Sequence, residues 1–345
     1  MELSDLNVSQ LRQLLQEKKA SAVEILESCL RRIGQVDGRP GTLEPGQITD
    51  ADRSAVHSFI TLTEDTALQQ AREVDRKLAS GENPGRLGGI PFTVKDIFCV
   101  KDTPSTAASR ILANFKAPYS ATPVNRMQAE GAVMVGKVNL DEFTYGSSTE
   151  SSAFQPSTRN PWDTTRVPGG SSGGSTASVA ANEVPLSLGT DTAGSIRQPA
   201  AFCGVVGVKP TYGRVSRYGL IAFASSLDCP GPVARTVTDA AAMLQVIAGA
   251  DPHDGTAAKV DVPDYLAGIE HGVKGMRIGL SPDYFRITFP DGQGGFKEQA
   301  LPEEIERAVR HAAEVLAGMG AEIVEDVPMP NTRYGIPAYF VISRV

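Results

Sequence analysis

Two serine-bearing loops near the middle of the chain are unusually rich in glycine. The first is Val167-Pro-Gly-Gly-Ser-Ser-Gly-Gly-Ser175, and the second is Gly189-Thr-Asp-Thr-Ala-Gly-Ser195-Ile-Arg-Gln-Pro199. Glycine at this density costs backbone entropy that a packed core does not require. It is typical of places where the backbone passes close to a ligand or directs N–H groups at developing negative charge. We therefore predict that the two loops form the floor of an active site.

Phosphate binding is the first chemistry that such loops suggest. A Walker loop needs a lysine followed by serine or threonine after its last glycine, and neither loop has one. The glycine spacing over residues 169–174 also differs from the dinucleotide fingerprint G-x-G-x-x-G. An anion site at a helix N-terminus stays open for either loop, but it is the less favoured interpretation.

Acyl transfer is the second possibility, and it requires a nucleophile, a base and donors for an oxyanion. Ser195 suits the nucleophile because small residues precede it and a short helix over residues 196–202 is predicted to follow. Backbone N–H groups and the positive end of that helix would then converge on a tetrahedral oxyanion. No histidine lies in a glycine-rich loop or shows metal-ligand spacing, so we expect neither a Ser-His-Asp triad nor a metal. The four histidines are His57, His253, His271 and His311.

Lys95 is the alternative base, in the apolar run over residues 87–100. A lysine held in a dry site has a lowered pKa and can be neutral near physiological pH. Two plainer interpretations also fit. Lys95 could extend out of an edge strand or pair with Asp96, and Ser171, Ser172 and Ser175 could serve only as hydrogen-bonding groups of a loop.

Helices that alternate with short apolar strands must position these residues. This pattern predicts an α/β fold with a mixed central sheet covered by helices. Apolar periodicity, capping residues and flanking glycines predict both kinds of element. The predicted helices cover residues 6–18, 21–33, 65–78, 122–130, 173–181, 196–202, 236–247 and 303–317. The predicted strands cover residues 57–62, 87–100, 132–138, 186–189, 276–280 and 321–326.

Composition limits the classes of function. The chain has 345 residues, and its net charge of −7 argues against a nucleic-acid grip by the whole molecule. We find no signal peptide and no apolar run long enough to span a bilayer. We expect the four scattered cysteines to be reduced and buried thiols. We also expect one compact domain, incomplete at its C-terminus because residues 336–345 form an apolar run without a cap.

These motifs together resemble the amidase signature family. The resemblance is carried by both glycine loops and by Gly89-Ile-Pro-Phe-Thr-Val-Lys-Asp96. Within the family, residues 141–154, 160–162 and 202–213 are similar to the glutaminase subunits of tRNA-dependent amidotransferases. The similarity runs along the whole chain. It implies one amidase domain over residues 1–345, with a helical region over 1–80, a catalytic core over 81–250 and a partial C-terminal α/β portion over 251–345.

The resemblance also implies a catalytic triad of two serines and a lysine. Ser195 would be the nucleophile, Ser171 the bridging serine with a cis peptide bond, and Lys95 the base. A neutral Lys95 would accept a proton from Ser171, which in turn accepts one from Ser195. The oxyanion donors would be the N–H groups of the three residues before the nucleophile, which are Thr192, Ala193 and Gly194.

The function implied by the family is hydrolysis of glutamine to glutamate and ammonia. The ammonia would serve a partner that amidates misacylated Glu-tRNA(Gln) or Asp-tRNA(Asn), in a heterotrimer with the B and C subunits of an amidotransferase. ATP and magnesium would act in the partner, which would also hold most of the tRNA, and this glutaminase would need no cofactor or membrane. A cytoplasmic location, or an organellar lumen of bacterial origin, would follow. A stand-alone amidase for another small amide and a non-catalytic scaffold protein stay open as alternatives.

Three departures from the family pattern bear on the site. Ala193 stands where glycine is usual, and its methyl group is tolerable only if φ is negative. Ile97 stands where asparagine commonly follows Lys-Asp, and we expect the family's last third, which helps to hold the substrate, to be missing. We also expect substrate contacts from the polar loop after residue 140 and from the C-terminal apolar run. These candidates are Tyr145, Ser147, Ser148 and Tyr339.

Overall fold

A computed structural model describes residues 2–344 of the chain. Its internal contacts separate into two compact units, residues 1–266 and 267–345. Both glycine-rich loops lie in the first unit. The expectation of a single domain over residues 1–345, with its three subdivisions, remains a prediction.

A six-stranded mixed sheet forms the centre of the first unit, in the order β1-β3-β2-β4-β6-β5. The three middle strands β3, β2 and β4 run parallel, whereas β1, β6 and β5 are antiparallel to their neighbours. Every residue of β2, β3, β4 and β6 is buried, as in a sheet that is covered on both faces. The strands are β1 (Phe59–Leu62), β2 (Pro91–Lys95), β3 (Val133–Val138), β4 (Leu186–Asp191), β5 (Val206–Gly207) and β6 (Cys229–Ala234).

Eight α-helices accompany this sheet within the described part of the first unit. Helix α4 packs on β3, α6 on β2 and β4, and α8 on β6, whereas α2 packs mainly on α4. The predicted mixed, helix-covered α/β fold is therefore confirmed. The helices are α1 (Val8–Gln16), α2 (Ala22–Val36), α3 (Asp50–Ser54), α4 (Glu64–Ser80), α5 (Thr122–Ala129), α6 (Gly173–Ala180), α7 (Arg197–Cys203) and α8 (Val237–Ile247).

Local sequence explains where several of these helices begin and end. Ser21 caps α2 by accepting from the Glu24 amide at 3.1 Å, and the Glu24 carboxylate returns to the Ser21 amide at 2.8 Å. This is the capping box that the sequence predicts. Helix α4 ends at Gly81, whose φ of 76° is a left-handed conformation that glycine adopts without strain.

Strand β6 is not predicted from the sequence, because its composition argues against a strand. Pro230 and Pro232 lie two residues apart, so both remove an N–H from the same side of the strand. Between them, a side chain on Gly231 would place its Cβ 2.1 Å from the carbonyl oxygen of Val208. Glycine is therefore required where β6 passes the segment after β5.

In the second unit, residues 267–344 form a two-stranded parallel sheet, a two-stranded hairpin and two α-helices. Strand β7 and helix α9 are predicted from the sequence, and β10 is the core of the predicted strand over residues 321–326. The hairpin and the last helix are not predicted. The elements are β7 (Arg277–Gly279), β8 (Arg286–Pro290), β9 (Phe296–Ala300), α9 (Glu303–Gly318), β10 (Glu322–Val324) and α10 (Gly335–Ser343).

All four cysteines are unpaired and buried, as the sequence predicts. They are Cys29, Cys99, Cys203 and Cys229. Burial raises the pKa of the Cys29 thiol to about 12 and that of the Cys203 thiol to about 11, so both stay protonated at neutral pH. Within residues 2–344, no helix combines the length and the apolar character needed to cross a membrane.

Two acidic side chains are buried in the first unit, Asp37 at the end of α2 and Glu183 after α6. Asp37 is 1% exposed and Glu183 is fully buried. Asp37 accepts a hydrogen bond from the Ser58 amide at the start of β1. Burial raises the pKa of Asp37 to about 6, and burial together with the charge of Asp37 raises the pKa of Glu183 well above its usual range. At neutral pH the pair therefore holds at least one proton.

Candidate active site

The site lies at the edge of the sheet where three parallel strands end. The register pairs Lys95, the last residue of β2, with Val138, the last residue of β3. On the other side of β2, Val94 pairs with Leu188, so β4 reaches Asp191 at the same edge. The carboxyl ends of parallel strands commonly carry the functional groups of α/β proteins. Here they bring the lysine beside the second glycine loop.

Lys95 is fully buried and is surrounded by hydroxyl groups. Its Nζ donates to Ser171 Oγ at 2.7 Å, to Thr190 Oγ1 at 2.9 Å and to Ser172 Oγ at 3.0 Å. Three hydroxyl acceptors satisfy the three donors of an ammonium group, yet none of them carries a charge. The structure therefore brings together two of the three predicted triad residues, and it excludes a lysine that extends out of an edge strand.

The electrostatic environment makes Lys95 suitable as a base. Burial lowers the pKa of Lys95 to about 7, although the charges of Asp141, Asp228 and Asp191 act in the opposite direction. Desolvation disfavours the charged form of Lys95, and the charges of the three carboxylates offset this effect only in part. A substantial fraction of Lys95 is therefore neutral at physiological pH, which a proton acceptor requires.

The second lysine of this region, Lys137 on β3, pairs with the carboxylate that follows Lys95. Lys137 Nζ lies 2.5 Å from Asp96 Oδ1, and both side chains are buried. Asp96 Oδ2 accepts from the amide of Thr106 at 2.9 Å and from its hydroxyl. Because Lys137 and Thr106 occupy its carboxylate, the alternative in which Asp96 neutralises Lys95 is wrong.

The first glycine loop presents Ser171 through a cis peptide bond between Gly170 and Ser171, as the family resemblance implies. A side chain at Gly170 would place its Cβ 2.0 Å from Asp141 Oδ2. Gly169 has a φ of 84°, and a Cβ there would lie 2.7 Å from Gln198 Oε1. Both glycines are thus required by close approach, which is the property that the composition of the loop predicted.

The nucleophile candidate Ser195 is half-buried at the start of α7. Its carbonyl oxygen accepts from the amide of Ser172 at 3.1 Å, and this bond ties the two glycine loops together. Within residues 2–344, its hydroxyl forms no hydrogen bond. The proton path from Ser195 to Ser171 therefore stays a prediction, although both loops lie at the same sheet edge.

Asp191 holds the backbone of the second glycine-rich loop, residues 189–199, which is the nucleophile loop because it contains Ser195. Its Oδ1 accepts from the Gly194 amide at 2.8 Å, and its Oδ2 accepts from the amides of Ile196 at 3.1 Å and Arg197 at 3.2 Å. Burial alone would raise the pKa of Asp191, but the Arg197 guanidinium and these amides lower it overall. Asp191 therefore stays ionised and fixes the turn.

The predicted oxyanion donors differ in their surroundings. The Gly194 N–H already donates to Asp191, so its hydrogen points to that carboxylate. Ala193 is exposed and lies outside the positive-φ region, so the backbone there tolerates its methyl group. Thr192 follows β4 directly. Which of these three amides meets an oxyanion stays a prediction.

The polar loop after β3 brings three predicted substrate residues to the same edge of the sheet. Asp141 Oδ2 accepts from the Ser148 amide at 3.2 Å, and the Ser147 carbonyl accepts from Gln198 Nε2 at 3.0 Å. Tyr145 is 46% exposed and packs edge-on against Phe223, with ring centroids 4.4 Å apart. Their contact with substrate stays a prediction. Tyr339 lies in α10 of the second unit, and its role also stays a prediction.

Gln198 and Asp228 are two residues that sequence reasoning missed. Besides its bond to Ser147, Gln198 accepts from the Gly170 amide at 2.9 Å, so it spans the first glycine loop and the polar loop. Asp228 is 2% exposed and accepts from the Thr192 hydroxyl at 2.5 Å. Gln198 lies inside the second motif, where its position was a usable signal. Asp228 lies in a segment without any pattern that points to chemistry.

Comparison with known proteins identifies the family of this arrangement. The amidase family profile matches residues 48–345 of the chain. The A subunit of glutamyl-tRNA(Gln) amidotransferase from Chloroflexus aurantiacus is 49% identical over 342 residues, which cover 99% of this chain and 64% of that protein. The chain thus spans about two thirds of the length of the curated relatives it matches.

Solved structures agree with this likeness. The A subunit of glutamyl-tRNA(Gln) amidotransferase from Thermotoga maritima superposes with a TM-score of 0.78 at 38% identity, over 99% of this chain and 66% of that one. The native peptide amidase of Stenotrophomonas maltophilia superposes with a TM-score of 0.77 at 32% identity, over 98% of this chain and 68% of that one. The fold thus matches both a component of a tRNA-dependent enzyme and a peptide amidase.

Proposed function

The chain belongs to the amidase signature family, and from this premise we propose that it is a glutaminase subunit that supplies ammonia to a tRNA-dependent amidotransferase. The observation that carries the proposal is the 2.7 Å contact between a buried Lys95 and Ser171, beside the loop of Ser195. The 49% identity with the A subunit of an amidotransferase supports glutamine as the amide.

The first half-reaction forms an acyl-enzyme. Ser195 Oγ attacks the side-chain amide carbon of glutamine while its proton passes to Ser171 and the Ser171 proton passes to neutral Lys95. The tetrahedral oxyanion is stabilised by backbone N–H groups of residues 192–194 and by the N-terminus of α7. The relay then reverses, protonates the amide nitrogen, and releases ammonia.

The second half-reaction regenerates the enzyme. Water attacks the glutamyl ester on Ser195 and gives its proton to the same relay, and the ester oxygen of Ser195 regains a proton as glutamate leaves. The half-buried position of Ser195 suits this step, because a nucleophile sealed from solvent would not be reached by water.

The remaining assignments belong to the same proposal. The B and C subunits of the amidotransferase would be the partners, and misacylated tRNA, ATP and magnesium would be handled mainly by the B subunit. The acidic balance of this chain supports that division, since a charge of −7 favours contact with tRNA through a partner. A cytoplasmic location, or an organellar lumen of bacterial origin, accompanies this assignment.

A stand-alone amidase is the second candidate, and the likeness to a peptide amidase favours it. The two candidates differ in what they hydrolyse and in what stimulates them. An amidotransferase glutaminase should release ammonia from glutamine faster when the B and C subunits and tRNA are present. A stand-alone amidase should prefer a peptide C-terminal amide and ignore those partners.

The test measures ammonia and glutamate with the chain alone and with co-expressed B and C subunits. Ser195→Ala should remove both products without changing the fold, whereas Ser175→Ala, in a buried serine that bonds the Leu188 carbonyl, should keep them. A fluorophosphonate probe should label Ser195. Activity that persists in Ser195→Ala would eliminate the nucleophile assignment, and an unlabelled, inactive wild-type chain would favour the non-catalytic scaffold.

A further inference from the structure

Asp228 links the nucleophile loop to a second loop, which covers residues 219–228. One carboxylate oxygen, Oδ1, accepts from Thr192 Oγ1 at 2.5 Å. The other, Oδ2, accepts from the amides of Phe223 at 2.9 Å and Ala224 at 3.1 Å. Asp228 is almost fully buried, so water does not compete for these bonds. A single carboxylate therefore fixes two chain segments that are otherwise far apart in sequence.

This link extends to the polar loop through aromatic packing. Asp228 accepts a hydrogen bond from the backbone amide of Phe223. The ring of Phe223 packs edge-on against the ring of Tyr145, with the two centroids 4.4 Å apart. Tyr145 precedes Ser147, which Gln198 ties to the start of α7. The nucleophile loop, the 219–228 loop and the polar loop are thus joined around Ser195, and Asp228 lies at their junction.

Asp228 also acts on the base through its charge. Burial lowers the pKa of Lys95, and the charges of Asp141, Asp228 and Asp191 each act to raise it. Asp191 and Asp141 each hold backbone amides of their own loops. Asp228 differs because it reaches the nucleophile loop through the hydroxyl of Thr192, a side chain that can be altered without changing any charge.

We propose that Asp228 is a positioning residue for acyl transfer, which holds Thr192 and the Phe223–Tyr145 pair in the arrangement that Ser195 requires. The inference rests on the proposed nucleophile, Ser195, but not on glutamine as the substrate. Thr192 is itself one of the three residues whose N–H groups are expected to meet the oxyanion. A displacement of this backbone would therefore slow attack at Ser195 while leaving the triad side chains in place.

The test uses the rate at which a fluorophosphonate labels Ser195, measured from pH 5.5 to 9. In this reaction Ser195 Oγ bonds to phosphorus, fluoride leaves, and the serine proton passes through Ser171 to Lys95. Thr192→Val keeps the shape of the side chain but removes the hydroxyl, so labelling should slow by about ten- to a hundredfold. Thr192→Ser keeps the hydroxyl and should restore most of the labelling rate that Thr192→Val loses.

The Asp228→Asn variant separates charge from geometry. Its side-chain nitrogen can donate to Thr192 Oγ1 while its oxygen accepts from the amides of Phe223 and Ala224, but one of the three charges that raise the pKa of Lys95 is lost. The midpoint of the pH–rate profile should therefore move to lower pH, because less charge then raises the pKa of Lys95. In Thr192→Val the rate should fall with the midpoint unchanged. A purely structural role would lower melting temperature in both variants and move neither readout in this pattern.

The outcomes distinguish the two proposals. Wild-type rates and wild-type pH midpoints in both Thr192→Val and Asp228→Asn would overturn the positioning role. Labelling of Ser195 without hydrolysis of glutamine would overturn only the glutaminase assignment. A wild-type chain that is not labelled at Ser195 would overturn both.

Discussion

The carboxylate of Asp96 pairs with Lys137 at 2.5 Å, whereas its chain neighbour Lys95 bonds only hydroxyl groups among residues 2–344. Lys95 and Lys137 lie on the adjacent parallel strands β2 and β3, and Asp96 pairs with Lys137 rather than with Lys95. Lys95 is thereby kept apart from an ion pair that would hold it protonated. The distribution of one negative charge between two buried lysines thus decides which of them can act as a base.

Loss of the partner lysine should destabilise the fold strongly. In Lys137→Met, Asp96 keeps its bonds to Thr106 but loses its buried counter-charge, so we expect a loss of about 3–5 kcal/mol in the free energy of unfolding. Urea denaturation at pH 7 measures this. Arg76→Met, which removes the exposed pairs with Glu73 and Glu82, should cost far less, because water screens both pairs. Equal losses in the two variants would contradict the importance of the buried pair.

The reaction should depend on the protonation of Lys95. Since burial lowers the pKa of Lys95 to about 7, the rate of Ser195 labelling should rise with pH through about 7 and level off above it. The sign follows from the mechanism, because only the neutral amine accepts a proton. Lys95→Arg should be inactive throughout, since a guanidinium stays protonated. An active arginine variant, or a rate that falls over this range, would eliminate Lys95 as the base.

Of two glycine-to-alanine substitutions, Gly170→Ala should damage the candidate site, whereas Gly34→Ala should stabilise the fold. Gly170→Ala would place a methyl group 2.0 Å from Asp141 Oδ2, so it should disrupt the first loop and lower labelling by at least about tenfold. Gly34→Ala, inside α2 with nothing within 4 Å of its new Cβ, should stabilise the protein by up to about 1 kcal/mol. Thermal melting and labelling together check both. Normal labelling in Gly170→Ala would show that the loop does not need this close approach.

The buried acidic pair should make stability decrease with rising pH. Because the folded-state pKa values of Asp37 and Glu183 are raised, the native protein binds more protons than the unfolded chain above about pH 4. The stabilisation is thus present at low pH and is lost as pH rises through about 6. Glu183→Gln should be more stable than wild type at pH 8 by about 1–3 kcal/mol.

Urea denaturation at pH 5.5 and pH 8 checks this prediction. The matched control is Glu27→Gln on the exposed surface of α2, which should change neither value. If wild type and Glu183→Gln showed the same dependence on pH, the acidic pair would not be a proton-holding group in the native state.

Sequence reasoning found the elements whose residues carry a local signal. The capping box of α2, the apolar run over residues 87–100 that carries Lys95 and the close-approach glycines all depend on neighbouring residues, so a single chain reveals them. The contact between Lys95 and Ser171 is also predicted, because the family resemblance implies that both belong to one triad. The family resemblance implies oxyanion donors at residues 192–194, and the hydrogen bond from the Gly194 amide to Asp191 distinguishes Gly194 from the other two.

The remainder depends on contacts between distant segments. Pro230 and Pro232 argue locally against a strand, so β6 is recognised only from its antiparallel pairing with the distant strand β4. The partner of Asp96 is 41 residues away, and the bond from Thr192 to Asp228 spans 36 residues. No periodicity or spacing encodes such pairs. Tertiary packing alone determines which of several carboxylates meets a given lysine or hydroxyl.

The convergence of three parallel strands also determines when the site can exist during synthesis. Lys95 ends β2, whereas Ser195 follows β4, which cannot pair with β2 until the intervening helices have been made. Parallel strands need such a crossover, so their pairing is slower than that of a local hairpin. A nascent chain that has exposed only Lys95 and Ser171 therefore holds a base without a nucleophile. The proposed hydrolytic activity would therefore arise only after β4 has joined the sheet.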